Sequence, residues 1–220
     1  MTSTAVLTST VILAAFVGLG SGVADRSRLS ADVRAQAATA DRAVDQRVEA
    51  VRDALLRLPY YGVFDFLAFS YDRGTVTLSG QAYAGRLRQD AERAARRVSG
   101  VDEVINKIED LPASLNDDEI RWRTFYAIYT NDFLSKYAPG GGLLWGRRGA
   151  FASGWSPRFG AFPGDQPVGS YPIHIVVDGG RIRLLGVVDN QTDKNVANIA
   201  ARGVSGAFGV ENELIVDSER

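Results

Sequence analysis

The side chains able to do chemistry are few and scattered. His174 is the only histidine and there is no cysteine, which removes disulfides, thiolate zinc sites and cysteine nucleophiles together. His174 sits in "YPIHIVV". It alternates with Ile173 and Ile175, so it points away from the face they bury, toward solvent or a second face. Asp117, Asp118 and Glu119 form an acidic trio, but they follow Ser114 and Asn116 at the start of a helical run. Carboxylates there complement the helix dipole, and no further ligands for a cation are in view. Asn106 and Asn212 read as side chains that satisfy backbone groups. No G-x-S-x-G elbow, P-loop, HExxH motif or calcium loop occurs. The expectation is a non-enzyme with no catalytic residue, no metal and no cofactor.

Recognition chemistry is better represented. Residues 139–172, "PGGGLLWGRRGAFASGWSPRFGAFPGDQPVGSYP", carry Trp145, Phe151, Trp155, Phe159 and Phe162, with Arg147, Arg148 and Arg158 set against one acid, Asp165. Connections longer than about 15 residues are usually functional or disordered, and a disordered linker is poor in aromatics. Three uses fit this composition. The segment can fold over its own domain and bury its rings. It can lie on a membrane surface, where rings favour the headgroup layer and each basic residue adds about 1 kcal/mol near anionic lipid. It can bind nucleic acid, since "GRRG", Gly146 to Gly149, matches the GxxG loop of KH domains. That loop needs flanking helices, which the Gly and Pro content denies, so nucleic acid is not expected. The candidate lipid- or partner-binding residues are Trp145, Arg147, Arg148, Phe151, Trp155, Arg158 and Phe159.

These residues must be held by a scaffold, and the scaffold is a repeat. "GTVTLSG", Gly74 to Gly80, returns as "GRIRLLG", Gly180 to Gly186. At the same offset Asp72 matches Asp178, Ala91, Ala94 and Ala95 match Ala197, Ala200 and Ala201, and "RRVSG" matches "RGVSG". Val104, Asn106 and Ile108 then match Val210, Asn212 and Leu214 without insertion. Each copy reads as strand, tight turn, strand, Ala-striped helix, strand. Gly74 and Gly180 serve the turns, Gly80 and Gly186 a bend or close approach that ends the second strand, and Gly100 and Gly206 stop the helices. A helix precedes each copy. In the first, Val44, Val48, Val51 and Leu55 make one stripe, closed by Pro59.

The doubled pattern resembles the BON domain of hyperosmotically inducible periplasmic proteins, and "SLNDDEIRWRTFYAIY" is similar to the helix that joins paired BON domains. The resemblance implies an α+β protein of two α-β-β-α-β units, each a small three-stranded mixed sheet covered by two helices. Units at 41–112 and 113–217 are expected, the second with the aromatic, Gly- and Arg-rich insert at 139–172. It also implies a non-enzymatic tethering module of the bacterial envelope that associates weakly with phospholipid, under envelope or osmotic stress. A protein–protein module with 139–172 as docking loop is the alternative. The partner is thus an anionic phospholipid surface or an envelope protein.

At 45% hydrophobic and 23% charged residues, the 220-residue chain can build an ordinary core. Its net charge of −1 excludes polyanion binding by bulk charge. Ala5 to Ala24 lacks any charge, Val11 to Leu19 is apolar, and Gly22-Val23-Ala24 suits a signal peptidase. Residues 1–24 read as a signal peptide cleaved after Ala24, with an uncleaved N-terminal membrane anchor as the alternative. Periplasmic or exported localisation follows from either. Residues 25–40 read as a linker or helical extension.

Overall fold

The computed structural model describes residues 23–83, 85–138 and 166–217. Helix α1 runs Val23–Leu56 and is charged along most of its length. The chain divides after Ala43, and the second unit, Val44–Arg220, holds both repeats. The apolar stripe of α1 meets a core only at its end: Val51 and Leu55 are buried, whereas Val44 is exposed.

The first sheet takes the order β1-β2-β3. Strands β1 (Phe66–Asp72) and β2 (Thr75–Ala82) are antiparallel, and β3 (Glu103–Asp110) returns parallel to β2. Helix α2 (Leu87–Arg96) makes the crossover that a parallel pair requires. The second repeat copies this with α3 (Leu115–Tyr129), β4 (Ile173–Asp178), β5 (Arg181–Val188), α4 (Gln191–Arg202) and β6 (Gly209–Asn212). One difference stands out. The last strand of the second repeat is interrupted after Asn212 and resumes as β7 (Ile215–Val216), also parallel to β5, so this sheet counts four strands where three are expected.

Local sequence explains the turns. Arg73 and Gly74 have φ of 45° and 90°, and Gly179 and Gly180 have 54° and 76°. Positive φ at both central residues makes each a primed turn, whose twist suits the strands it joins. Gly80 and Gly186 both have φ of 123°. A Cβ there would lie 2.0 Å from the Phe66 carbonyl oxygen and 2.0 Å from that of Pro172. They permit close strand–strand approach, and the strands continue past them to Ala82 and Val188. The expectation that they end the strands is corrected. So is the one for Gly100 and Gly206: α2 and α4 end at Arg96 and Arg202, and the glycines lie in the turns beyond, at φ of 85° and 89°. Tight bonds such as Val98 N–H to the Ala95 carbonyl (3.1 Å) and Val204 N–H to that of Ala201 (3.1 Å) unwind the helices first.

Each sheet buries one face under its helices. Val76, Leu78, Val104 and Ile108 meet Ala91 and Ala95 in the first core; Ile182, Leu184 and Leu214 meet Ala197 and Ala201 in the second. Small residues at the contact let the helix sit close to the sheet. The paired asparagines act as braces. Asn106 donates to the Arg88 carbonyl (2.9 Å) and accepts from Ile108 N–H (3.1 Å). Asn212 does the same with Lys194 (2.8 Å) and Leu214 (3.3 Å). Ser114 caps α3 and Asn190 caps α4 through Asp117 N–H and Asp193 N–H.

Candidate functional site

The seven candidate lipid- or partner-binding residues, Trp145 to Phe159, lie outside the described residues. What the structure describes is the ground from which their segment leaves and to which it returns. Both places lie at the end of the second sheet where β4 begins and β5 finishes, since Ile173 pairs with Gly186.

The departure point is latched to the start of α4. The short 3₁₀ helix Ser135–Tyr137 brings the Tyr137 hydroxyl to the Asp193 carboxylate (2.6 Å), while the same oxygen accepts from Asp189 N–H (2.7 Å). The Lys136 ammonium bridges Asp189 (2.8 Å) and Asp193 (2.7 Å). Burial alone would raise the Asp193 carboxyl, but hydrogen bonds from Lys136 and Tyr137 outweigh it and hold the group below its ordinary value. Burial, reinforced by Asp193, pushes the Tyr137 hydroxyl up to about 12.

The return point is pinned to a strap of the first repeat, Tyr60 to Asp65, that precedes β1. Gln166 Nε2 donates to the Tyr60 carbonyl (3.1 Å) and the Asp65 carboxylate (2.5 Å), and its Oε1 accepts from Phe64 N–H (3.1 Å). Asp65 is wholly buried and also accepts from Gly62 N–H (3.1 Å) and Tyr83 N–H (2.6 Å). Gly62 and Val168 form an antiparallel bridge. Val63 N–H donates to the Pro167 carbonyl (3.1 Å), and Ile175 N–H donates to the Val63 carbonyl (2.8 Å). The strap therefore adds to the edge of β4. Residues 166–172 are correspondingly built into the fold, with Tyr171 in the second core.

Two buried polar groups lie along this seam. His174 occupies the second face of β4, but it is buried. Its Nε2 meets the Tyr61 hydroxyl at 3.2 Å, and the rings of Tyr61 and Phe66 flank it at 5.3 and 5.8 Å. Burial drives its imidazole down to about 4, against a smaller opposing pull from the Asp65 and Gly62 backbone. Arg121 is fully buried, binds Asp118 and the Val177 carbonyl, and places its guanidinium 4.8 Å from the Tyr83 ring centre. The acidic trio is thus structural: Asp118 pairs with Arg121, Glu119 with Arg123, and Asp117 accepts from Gly179 N–H (3.1 Å) and Gly180 N–H (2.7 Å).

Exposed apolar side chains stand near both pinned ends, beside the exposed Lys136–Asp189 pair. Tyr60 is 50% exposed and Val168 52% at the return point, and Phe133 is 69% exposed beside the departure point. Sequence reasoning missed these three and the Asp65–Gln166 link. Among the described residues no helix is long and apolar enough to cross a membrane, and no cluster of potential metal ligands occurs.

The family model for the BON domain matches residues 43–109 and 160–218. No curated protein matches the sequence. Among solved structures, two of CdsD, described as a structural protein of the type III secretion system of Chlamydia trachomatis, align with TM-scores of 0.24. The first is 12% identical and covers 78% of this chain and 93% of its own. The second, the C-terminal domain, is 11% identical and covers 77% and 96%.

Proposed function

The chain belongs to the BON-domain family, a non-catalytic, binding type of domain, and from that premise we propose an exported tethering protein of the bacterial envelope that associates weakly with anionic phospholipid. The 139–172 insert is the contact element. The observation that carries this reading is the pinned base of the insert with the exposed apolar side chains beside it. Tyr60, Val168 and Phe133 stand exposed where the chain leaves and returns, next to a segment carrying Trp145, Trp155, Arg147, Arg148 and Arg158. Rings and guanidinium groups together suit the headgroup layer of an anionic bilayer. A rigid base reduces the ordering cost of presenting such a segment. The uncharged, apolar stretch within residues 1–24 supports export, and envelope or osmotic stress is the expected setting.

The test is co-sedimentation of the chain from Asp25 with anionic or zwitterionic vesicles at two salt concentrations. Anionic-selective pelleting that weakens with salt is expected. No pelleting with either lipid at low salt would refute the reading.

One surface favours a second reading, docking to an envelope protein. At the far end of the second repeat, Phe208 is 79% and Leu115 73% exposed, flanking the Gly179–Gly180 turn that Asp117 holds. The equivalent of Phe208 in the first repeat is Asp102, so this apolar end belongs to the second copy alone. Pull-down from envelope extract that is lost in Phe208→Ala, without vesicle binding, would favour it.

A further inference from the structure

Strand β3 is an open edge of the first sheet, with β2 as its strand neighbour. We propose that this edge pairs with the β3 edge of a second copy of the chain, antiparallel and centred on Ile105, so that two three-stranded sheets join edge to edge in a weak, symmetric dimer.

The backbone is arranged for this. On the β2 side, the N–H groups of Glu103 and Leu111 donate to the carbonyls of Gly74 (3.3 Å) and Ala82 (2.8 Å). Backbone groups alternate in direction along a strand, so those of Val104, Asn106 and Ile108 face outward. The Ile108 N–H is taken by its own Asn106 side chain (3.1 Å). Val104 and Asn106 remain to exchange backbone hydrogen bonds with Asn106 and Val104 of the second copy.

The side chains on the exposed face set the register. Glu103, Ile105 and Lys107 all point to that face and are exposed, Ile105 at 39%. Across β2 they face Thr75, Thr77 and Ser79, none of which can neutralise a charge. A two-fold axis at Ile105 sets Glu103 opposite Lys107 on both sides of the axis and Ile105 opposite its own copy. Opposite charges directly across paired strands attract and like charges repel. Slipping the second copy by two residues one way sets Glu103 against Glu109. The other way sets Lys107 against Val101 and Ile105 against Glu103. Neither slip pairs both charges.

The second repeat does not offer this edge. The positions equivalent to Glu103, Ile105 and Lys107 are Gly209, Glu211 and Glu213. Both glutamates are held by Arg183, and the strand breaks after Asn212. Short, charged edges resist strand addition, whereas β3 runs unbroken for eight residues. The outer edge of β4 is taken by the strap. A short ladder and one row of side chains make a small contact, so the dimer depends on concentration. The pairing does not rest on what the insert touches, although a dimer presents two inserts at once.

The experiment is sedimentation velocity of the full chain over a concentration series reaching about 1 mM. A monomer–dimer equilibrium is expected, weakened about tenfold or more in Lys107→Glu, where Glu103 meets a carboxylate on both sides of the axis. Glu103→Lys combined with Lys107→Glu recreates the opposite pairs and should restore the dimer, a rescue that a purely structural role for Lys107 does not give. The chain has no cysteine, so Ile105→Cys supplies the sole thiol. Cα atoms of a non-hydrogen-bonded antiparallel pair lie about 4.5 Å apart, within disulfide reach. Mild oxidation should therefore cross-link Ile105→Cys. Glu109→Cys, exposed on the same face but far from its own copy in this register, should stay largely uncross-linked. Monomer at every concentration would overturn the proposal. So would a dimer indifferent to Lys107→Glu, a folded double variant that stays monomeric, or equal cross-linking at the two positions. Should the charge variants fail to fold, the cross-linking comparison decides alone.

Discussion

Gln166 donates to the buried Asp65 carboxylate across the chain, 101 residues away in sequence. That bond fixes the place where the insert rejoins the fold, because Asp65 simultaneously holds two backbone amides of the first repeat.

Asp65→Ala removes the acceptor from Gly62 N–H, Tyr83 N–H and Gln166 at once. Stranding buried donors costs roughly 1–3 kcal/mol each, so a loss of about 3 kcal/mol is expected. Urea denaturation should show a lower midpoint with an unchanged slope. A midpoint within experimental error of the parent would contradict the role given to this carboxylate.

Gly80→Ala and Gly186→Ala should be among the most damaging substitutions in the chain. Each combines a φ of 123° with a carbonyl oxygen 2.0 Å from the new Cβ, and the obstacle is backbone. Losses above about 3 kcal/mol, or failure to accumulate as folded protein, are expected. Gly85→Ala is the control, because nothing lies within 4 Å of its Cβ position. It should fall within about 0.5 kcal/mol of the parent.

Stability should fall with acid in two separate windows. His174 titrates at about 4 in the native chain against an ordinary 6.5. Above the ordinary value neither state is protonated and the contribution is constant. Between the two values the unfolded chain binds a proton that the native chain refuses, so native stability declines, by at most about 3 kcal/mol. Asp193 has its carboxyl held below 3.8, so the stability it contributes is present above that value and is lost only as pH drops further. Denaturation midpoints at a series of pH values should decline through the first window in the parent and stay flat there in His174→Gln.

The repeat was legible because two copies kept register: a constant offset places Asp72 on Asp178 and Asn106 on Asn212, and hydrophobic alternation supplied the strands. The tight turns were legible from Arg73-Gly74 and Gly179-Gly180, where glycine adopts positive φ without strain. The strap was not. "YYGVFD" has no period, and its partners lie beyond the insert, so a polar bond between distant loops leaves no local pattern. For His174 alternation indicated the face but not that Tyr61 and Phe66 would cover it, because burial on a second face depends on a neighbour that strand periodicity does not encode. Residues 166–172 looked continuous with the insert by composition, yet Gln166, Val168 and Tyr171 build them into the fold.

The central claim is that the insert, rather than the repeats, carries the membrane contact. It is tested most directly by comparing vesicle pelleting of the chain with that of a variant in which Trp145, Arg147, Arg148 and Trp155 are all changed to Ala, on anionic vesicles at low salt. Pelleting of the parent that drops at least about tenfold in the folded variant is predicted, since two rings and two charges together supply more than 1.4 kcal/mol. Equal pelleting of the two proteins would contradict the claim and move the contact to the repeats themselves.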